Sequence, residues 1–343
     1  MNGKSFIFDN ENPELKLSEL PENRLGGYLD AHELDMLFTH SKIARFSEKD
    51  MILKQGEKSD GIYLIIEGEV SVIARIMGQG TTNIETLTPG HFFGEISFIE
   101  KGPNTTSFVA KTTVQCLIIT STYFELLSVY FPRTKYKILK VISEQICGRL
   151  KRMHDKTVTF ITNSDMTIVS FFSWIAHSLT SPKQINFDEA GIVLEKLQKK
   201  SPFNLFNRDE FDVLINHGVL LKAPKNCKLI YEGDNSSLYI VIHGAVQSSI
   251  TQDSKSAKLS VIGPGTLFSS MSCIERDSSF TITFITCEQA VLFKISNKEL
   301  DYLQSNHPEL WYKLFNLICG SLVALGKSIN KLDIRLNIET YNR

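Results

Sequence analysis

The sequence predicts a mostly β protein with flanking helices, of the α+β class, built from two β-jelly-roll barrels that are each followed by a long helix. Three observations lead to this prediction. The second half of the chain repeats the first at an offset of about 176 residues. Short runs of β-branched and aromatic residues alternate with glycine turns in both copies. Each copy then continues into a stretch with helical periodicity, which begins at Pro132 and at Pro308.

The composition is that of a soluble globular protein with more than one core. The chain has 343 residues, of which 42% are hydrophobic and 22% are charged. Because 37 basic residues balance 38 acidic ones, no overall field attracts the protein to nucleic acid or to an anionic membrane. The six cysteines form no CxxC pair, which favours free thiols over a zinc site or a disulfide framework. The N-terminus lacks a signal-peptide core, so we expect a cytoplasmic protein. The balanced charge predicts no nucleic-acid partner.

Self-similarity divides the chain into four parts. LKQGEKSDGIYLIIEGEVSVI, which starts at Leu53, recurs from Ile230 as IYEGDNSSLYIVIHGAVQSSI. We expect an N-terminal extension (1–30), a first domain (31–156), a helical connector (157–200) and a second domain with its C-terminal helix (201–343). In the connector, the apolar residues 166–179 fall short of the ~20 that a bilayer requires, so they predict a buried helix and no membrane span. Asp188 is the expected N-cap of a second connector helix, which ends at Lys200.

The two long helices differ in pattern. Residues 133–156 place apolar residues on one stripe and charged residues on another, as in an amphipathic helix packed on a core. In the second helix, apolar residues alternate four and three apart over three heptads. They are Trp311, Phe315, Ile318, Leu322, Leu325, Ile329 and Leu332. This stripe is equally suited to join two copies in a homodimer and to pack on its own barrel.

The segment PGHFFGEISFIEKGPNTTSF in the first copy carries a family resemblance. A glycine-punctuated strand pair, then Gly94-Glu95, a short helix and Gly102-Pro103, resembles the phosphate-binding cassette of the cyclic nucleotide-binding domain family. The resemblance implies tandem domains like those of the regulatory subunit of cyclic AMP-dependent protein kinase. It also implies cyclic AMP or cyclic GMP as the possible ligand, with no other cofactor.

The resemblance assigns roles to residues of this cassette. In the family, a helix N-terminus cradles the cyclic phosphate, a glutamate binds the ribose hydroxyl and an arginine pairs with the phosphate. Gly94 and Glu95 match the glycine and the glutamate, whereas Asn104 stands at the arginine position. Loss of that charge-assisted contact, worth about 1.5–3 kcal/mol, predicts weak or absent binding. The expected ligand-binding residues are Phe93, Gly94, Glu95, Ile96, Ser97, Asn104, Thr105 and Thr106.

The second copy departs further from the family pattern. Ser269-Ser270 replaces Gly-Glu, and Arg276 is displaced from the arginine position. We therefore expect this domain to keep its barrel for packing and to bind no cyclic nucleotide. The alternative is that Arg276 reaches the phosphate from its displaced position.

The sequence favours a regulatory protein over an enzyme. It contains no GxSxG, HExxH or P-loop motif. No helix-turn-helix is expected after the last long helix, and residues 1–30 lack the arginine-rich inhibitory segment of the kinase regulatory subunits. Two interpretations remain. Retention of Glu95 favours a ligand-regulated sensor, and the loss of arginine at Asn104 favours a non-binding pseudo-receptor that acts as a protein interaction or dimerisation scaffold.

Overall fold

The computed structural model describes residues 25–76, 80–163, 181–230, 237–252, 255–275 and 282–341. The chain divides into two compact units, Met1–Gln145 and Ile146–Arg343. The sequence predicts that the first domain ends at residue 156. The boundary between the compact units falls inside the long helix Pro132–Asn163, which therefore contributes residues to both, and the predicted domain bounds stay a prediction.

Within its described residues, the first unit contains eight strands in two antiparallel sheets. The strands are β1 (Lys42–Phe46), β2 (Met51–Leu53), β3 (Gly61–Glu67), β4 (Val70–Ile76), β5 (Gly80–Leu87), β6 (Phe92–Phe93), β7 (Ser107–Ala110) and β8 (Val114–Thr120). One sheet has the order β1-β8-β3-β6 and the other has β2-β7-β4-β5. The predicted fold class is therefore confirmed, although the described strands form two sheets and no closed barrel.

The core of this unit lies between its two sheets. β3 is buried along nearly its whole length, which explains why its sequence GIYLIIE is continuously apolar rather than alternating. The rings of Tyr63 and Phe93 stack with their centroids 5.0 Å apart, and Phe93 packs against Phe108 at 5.1 Å. These contacts join both sheets into one core.

Four of the helices that the structure describes belong wholly or partly to the first unit. They are α1 (Ala31–His40), α2 (Glu95–Glu100), α3 (Ser121–Tyr130) and α4 (Pro132–Asn163). The hydroxyl of Tyr28 donates a hydrogen bond of 2.6 Å to Glu144 on α4. Burial and this bond to an acid raise the pKa of Tyr28 to about 12. The residues before α1 are thereby attached to α4.

Glu33 joins α1 to α4 through a largely buried ion pair with Lys137. Its carboxylate accepts hydrogen bonds from the Lys137 ammonium and from the Thr134 hydroxyl, at 2.5 and 3.0 Å. It also completes a capping box with Asp30 at the start of α1. Burial acts to raise the pKa of Glu33, but the hydrogen bonds outweigh it and lower the pKa.

We expect acid to weaken this contact. Because the folded pKa of Glu33 lies below its ordinary value of 4.5, the carboxylate stabilises the fold at neutral pH and loses that effect as the pH falls through the folded pKa. In urea titrations followed by circular dichroism, Glu33→Gln should lower the midpoint at pH 7 and differ little from the native chain near pH 3. Glu48→Gln removes an exposed carboxylate and is the control. An unchanged midpoint for Glu33→Gln at pH 7 would contradict the assignment.

The second unit contains the remaining strands. They are β9 (Lys183–Ile185), β10 (Val219–Ala223), β11 (Ser237–His243), β12 (Val246–Gln252), β13 (Lys255–Ile262), β14 (Leu267–Phe268), β15 (Thr283–Thr286) and β16 (Ala290–Ser296). One sheet has the order β14-β11-β16-β10-β9 and the other has β13-β12-β15. Its described helices are α5 (Leu194–Gln198), α6 (Arg208–Asn216), α7 (Asn297–Asn306) and α8 (Pro308–Tyr341), with 3-10 turns at Phe203–Leu205 and Ser270–Cys273.

The strand pairing confirms the internal repeat. The order β14-β11-β16-β10 reproduces β6-β3-β8-β1, and β12 lies between β13 and β15 as β4 lies between β5 and β7. Each copy has the same register shift, after Ile65 in β3 and after Val241 in β11. The turn that follows requires glycine, because a Cβ at Gly68 would lie 2.2 Å from the carbonyl oxygen of Thr113.

The connector differs from its prediction. The expected helix from Asp188 to Lys200 is wrong, since only Leu194–Gln198 is helical and β9 precedes it. Asn186 and Glu189 exchange side-chain to backbone hydrogen bonds of 3.0 and 2.7 Å, which close a turn instead. Asp188 lies within this turn and caps no helix. The apolar residues 166–179 lie outside the described residues.

The heptad stripe of α8 is covered within the second unit. Leu322, Ile329 and Leu332 are each at most 3% exposed. A Cβ at Gly326 would contact Leu150 and Ile146 of α4, and Leu332 packs with residues of β12 and β13. Of the two uses of the stripe, packing on its own domain therefore accounts for its apolar residues, and dimerisation through α8 stays a prediction.

Among the described residues there is no disulfide, no membrane-spanning helix and no cluster of metal ligands. None of the six cysteines forms a disulfide, and burial raises the pKa of the Cys116 and Cys147 thiols, which makes them poor nucleophiles. Within the described part of the chain, no helix is long and apolar enough to cross a membrane. No group of three or more potential metal ligands occurs there either.

Candidate functional site

The cassette of the first unit is built on a left-handed glycine. Gly94 has φ of 76° and forms the N-cap of α2, directly after the short strand β6. A Cβ at this position would lie 2.9 Å from Cδ1 of Leu53 and 3.1 Å from Oγ of Ser59. Both the backbone conformation and the close packing therefore require glycine here.

Glu95 and Ser97 follow on the first turn of α2 and are almost fully buried. The hydroxyl of Ser97 donates to the carbonyl oxygen of Gly102 at 2.6 Å and accepts from the backbone N–H of Ser59 at 3.0 Å. Ser97 thus joins the beginning of α2, its end and the β2–β3 loop. Its hydroxyl maintains the shape of the cassette.

Asn104, at the predicted arginine position, is held by the β2–β3 loop. Its side-chain amide donates a hydrogen bond of 2.9 Å to the carbonyl oxygen of Glu57, and its backbone N–H donates to the same oxygen at 2.7 Å. Its own carbonyl oxygen accepts from Gly56 at 2.9 Å. Because Asn104 is only 5% exposed, this side chain holds two loops together at the position where the family pattern has a phosphate-binding arginine.

The cations near the cassette lie at the surface. Lys101 ends α2 in a left-handed conformation with φ of 54° and is exposed. Lys54 forms an exposed ion pair with Glu57 at 3.5 Å. Among the described residues, no lysine or arginine is buried. The buried part of the cassette therefore offers an acid and neutral hydrogen-bonding groups to a ligand.

The other predicted ligand-binding residues are distributed between the core and the loop. Phe93 is fully buried among the aromatic rings of the core, where its ring stacks on Tyr63. Thr106 is buried, whereas Ile96 and Thr105 are half-buried. Gly94, Glu95, Ser97 and Asn104 are the predicted residues around which the cassette is built.

The sequence reading did not identify Gln145, which connects the cassette to α4. Its side-chain carbonyl accepts from the backbone N–H of Phe92 at 2.8 Å, and its amide donates to the carbonyl oxygen of the same residue at 2.6 Å. Both bonds are buried. The strand that leads into Gly94 is therefore clamped to the long helix.

The second copy keeps the outline of the cassette with other residues. Ser269 has φ of 65° at the position of Gly94, and Ser270 begins a 3-10 turn at the position of Glu95. Ser321 on α8 donates to the carbonyl oxygen of Leu267 at 2.9 Å, as Gln145 does to Phe92. Arg276 lies outside the described residues.

A short strand, a left-handed residue and a buried helical turn, tied to a long helix, occur in both copies. The family model described as the cyclic nucleotide-binding domain matches residues 43–128 and 220–307, together just over half of the chain. The chain therefore belongs to the cyclic nucleotide-binding domain family. The resemblance predicted from the sequence is confirmed for both copies.

Curated relatives match over part of their length. The cAMP-activated global transcriptional regulator CRP of Salmonella typhimurium is 28% identical over 124 residues, which cover 36% of this chain and 57% of that protein. A cyclic nucleotide-gated potassium channel of Mesorhizobium japonicum is 36% identical over 77 residues, which cover 22% of this chain and 20% of that channel. The match thus spans less than two thirds of either relative.

Solved structures show similarity at low identity. The regulatory domain of Toxoplasma gondii PKA with cAMP is 12% identical, covers 84% of this chain and 90% of that chain, and has a TM-score of 0.31. A cyclic nucleotide-binding domain from Methylobacillus flagellatus is 24% identical, covers 41% of this chain and 79% of that chain, and has a TM-score of 0.38.

Proposed function

We propose that this chain is a regulatory protein that senses a small ligand through its first domain and binds cyclic AMP and cyclic GMP weakly or not at all. The observation that carries the proposal is that the Asn104 side chain is already hydrogen-bonded within the protein. Its amide is neutral, buried and already bonded to Glu57, so a cyclic phosphate in this cassette lacks the bidentate cation of the family pattern. Transfer of a phosphate into a site without a cation is costly, which favours weak binding.

The signal in this proposal passes through Gln145. A ligand that rests on the first turn of α2 displaces Gly94 and, with it, the preceding strand. Because Gln145 bonds both backbone groups of Phe92, that displacement is transferred to α4. The proposed role is cytoplasmic and non-enzymatic. It involves no nucleic-acid partner, and the net charge of -1 supports this part of the proposal because it creates no overall attraction to a polyanion.

Titration calorimetry on the full chain tests this function. We expect cyclic AMP and cyclic GMP to bind at best in the high micromolar range, and Glu95→Ala to abolish the remaining heat. Lys101→Ala removes an exposed cation and is expected to change the affinity little. Sub-micromolar binding by the native chain would contradict the proposed weakness.

A scaffold role is the second candidate, and one surface favours it. At the end of α3, Leu126, Val129, Tyr130 and Phe131 are 45, 70, 68 and 42% exposed. Four large apolar side chains that are close together in sequence and exposed to solvent are typical of an interaction surface. This second candidate needs no ligand in either cassette.

Light scattering tests whether this apolar surface joins two copies of the chain. If this apolar surface joins two copies, the native chain has a mass near twice 38.8 kDa and Val129→Glu reduces it to the mass of one chain. Thr122→Glu, which is exposed on the same helix, should leave the mass unchanged. A native chain of 38.8 kDa at all concentrations removes the homodimer from this candidate.

A further inference from the structure

The second unit has a strand that the described part of the first unit lacks. β9 pairs antiparallel with the outer edge of β10, where Ile185 lies opposite Leu220 and Lys183 lies opposite Lys222. The counterpart of β10 in the first unit is β1, which is the last strand at its side of the sheet. Among the described residues, no strand pairs with this outer edge of β1.

The outer edge of β1 offers backbone groups and apolar surface to an added strand. An edge strand presents a row of N–H and C=O groups that another strand can bond. The pairing of β1 with β8 and of β10 with β16 makes Ile43 the counterpart of Leu220. Leu220 is only 2% exposed, whereas Ile43 is half-buried. A strand added to β1 can therefore also bury the remaining surface of Ile43.

The N-terminal sequence repeats the sequence of β9. Lys4–Asp9 reads KSFIFD and Lys183–Asp188 reads KQINFD, so lysine, phenylalanine and aspartate recur at the same positions. Each segment precedes, by nearly the same number of residues, the N-cap of the helix before β1 or β10. These caps are Asp30 and Asn207, and both form a capping box. The internal repeat thus includes β9 and residues 4–9, the latter outside the described residues.

The burial of β9 and its flank indicates which positions of this repeated sequence face the protein. Ile185 and Phe187 are half-buried, and Asn186 between them is exposed, as the alternation of a strand requires. Phe6 and Phe8 stand at the two half-buried positions of KSFIFD. The N-terminal sequence therefore keeps apolar residues where β9 and its flank contact the second unit.

We propose that residues 4–9 bind the outer edge of β1 as an added antiparallel strand, in the register that β9 has on β10. Phe6 then lies opposite Ile43, which gives an apolar cross-strand pair. Lys4 lies opposite Arg45, an arrangement that the exposed lysine pair between β9 and β10 already shows. Solvent and salt weaken the repulsion of such exposed charges.

This docking surface goes beyond the function proposed above and does not depend on what either cassette binds. β6 forms the opposite edge of the same sheet and leads directly into Gly94. The added strand thus extends the sheet that carries the cassette of the first unit.

Hydrogen exchange measured by mass spectrometry on the full chain tests the docking. Phe6→Asn removes the ring opposite Ile43, so the outer amides of β1 should exchange about tenfold faster than in the native chain. Ile7→Asn gives this position the residue that β9 has there and is the matched control, which should leave the exchange unchanged. Equal exchange of β1 in the native chain and in Phe6→Asn overturns the proposal, as does an equal increase in both variants.

A cross-link tests the register. In the variant Lys4→Cys/Arg45→Cys, the two Cβ atoms should lie about 5 Å apart, so oxidised glutathione should join them. Peptide mapping distinguishes this disulfide from any that involves a native cysteine. Lys4→Cys/Lys49→Cys is the control, because Lys49 is exposed in the loop beyond β1, and it should link far less. Equal yields for both pairs, or no link to residue 45, overturn the proposed strand pairing.

Discussion

The variant Asn104→Arg is expected to bind cyclic AMP about tenfold to a hundredfold more tightly than the native chain. A guanidinium at this position restores the charge and the paired donors that a phosphate prefers. The acid that binds the ribose hydroxyl in the family is already present as buried Glu95, and Gly94 already has the required conformation.

The loop should tolerate this substitution. Two of the three hydrogen bonds that hold residue 104 come from its backbone, to Glu57 and from Gly56, and these do not depend on the side chain. Only the bond from the amide to Glu57 is lost, at a cost of about 0.5–1.5 kcal/mol. The backbone conformation of the cassette should therefore stay the same.

Calorimetric titrations at low and high salt provide the measurement. Asn104→Gln lengthens the side chain without adding charge and is the matched control, which should show no gain. Because residue 104 is only 5% exposed, the charge pair is shielded from solvent and the gain of Asn104→Arg should fall only slightly as salt is raised. Equal affinities of the arginine and glutamine variants would show that the pocket is closed by something other than the missing charge.

The second large effect is expected at Gln145. Gln145→Leu leaves both the N–H and the carbonyl of Phe92 buried without a side-chain partner. At about 1–3 kcal/mol for each of the two unsatisfied groups, the variant should destabilise the first unit by about 2–6 kcal/mol. Packing is largely preserved, since leucine and glutamine have similar volumes.

Hydrogen exchange measured by mass spectrometry can localise this loss. Peptides that contain β6 and α4 should exchange faster in Gln145→Leu, while those of β10 and β16 should not change. Arg133→Leu, an exposed substitution at the start of α4, is the control. Normal exchange around Phe92 would mean that the clamp contributes little to the coupling of cassette and helix.

The fold could be predicted from the sequence because its signals are local or repeated. Both copies contain continuous apolar runs and turn glycines such as Gly68, at a constant offset along the chain. Each of these patterns indicates a backbone geometry that occurs twice in the structure. The connector could not be predicted in the same way. Its turn depends on a side-chain exchange between Asn186 and Glu189, which competes with helix formation in a way that helical periodicity does not indicate.

The candidate site was predicted in part. The glycine, the acid and the missing arginine could be read from one segment, but the partner of Asn104 lies far away in sequence, at Glu57. Gln145 left a usable signal that was not recognised. The offset between the copies places Ser321 opposite Gln145, so a polar residue interrupts the apolar face of both long helices at the same point.

This pair joins strand and helix in different ways in the two domains. In the first unit, two buried hydrogen bonds from one amide hold the strand to its helix and fix both the distance and the rotation between them. In the second, one serine hydroxyl makes a single bond to the matching carbonyl, and α8 also packs on β13, β14 and the 3-10 turn Ser270–Cys273. The first copy thus relies on buried amide hydrogen bonds to position its helix, whereas the second relies mainly on apolar packing, which tolerates small shifts in the position of the helix more readily than directed hydrogen bonds do.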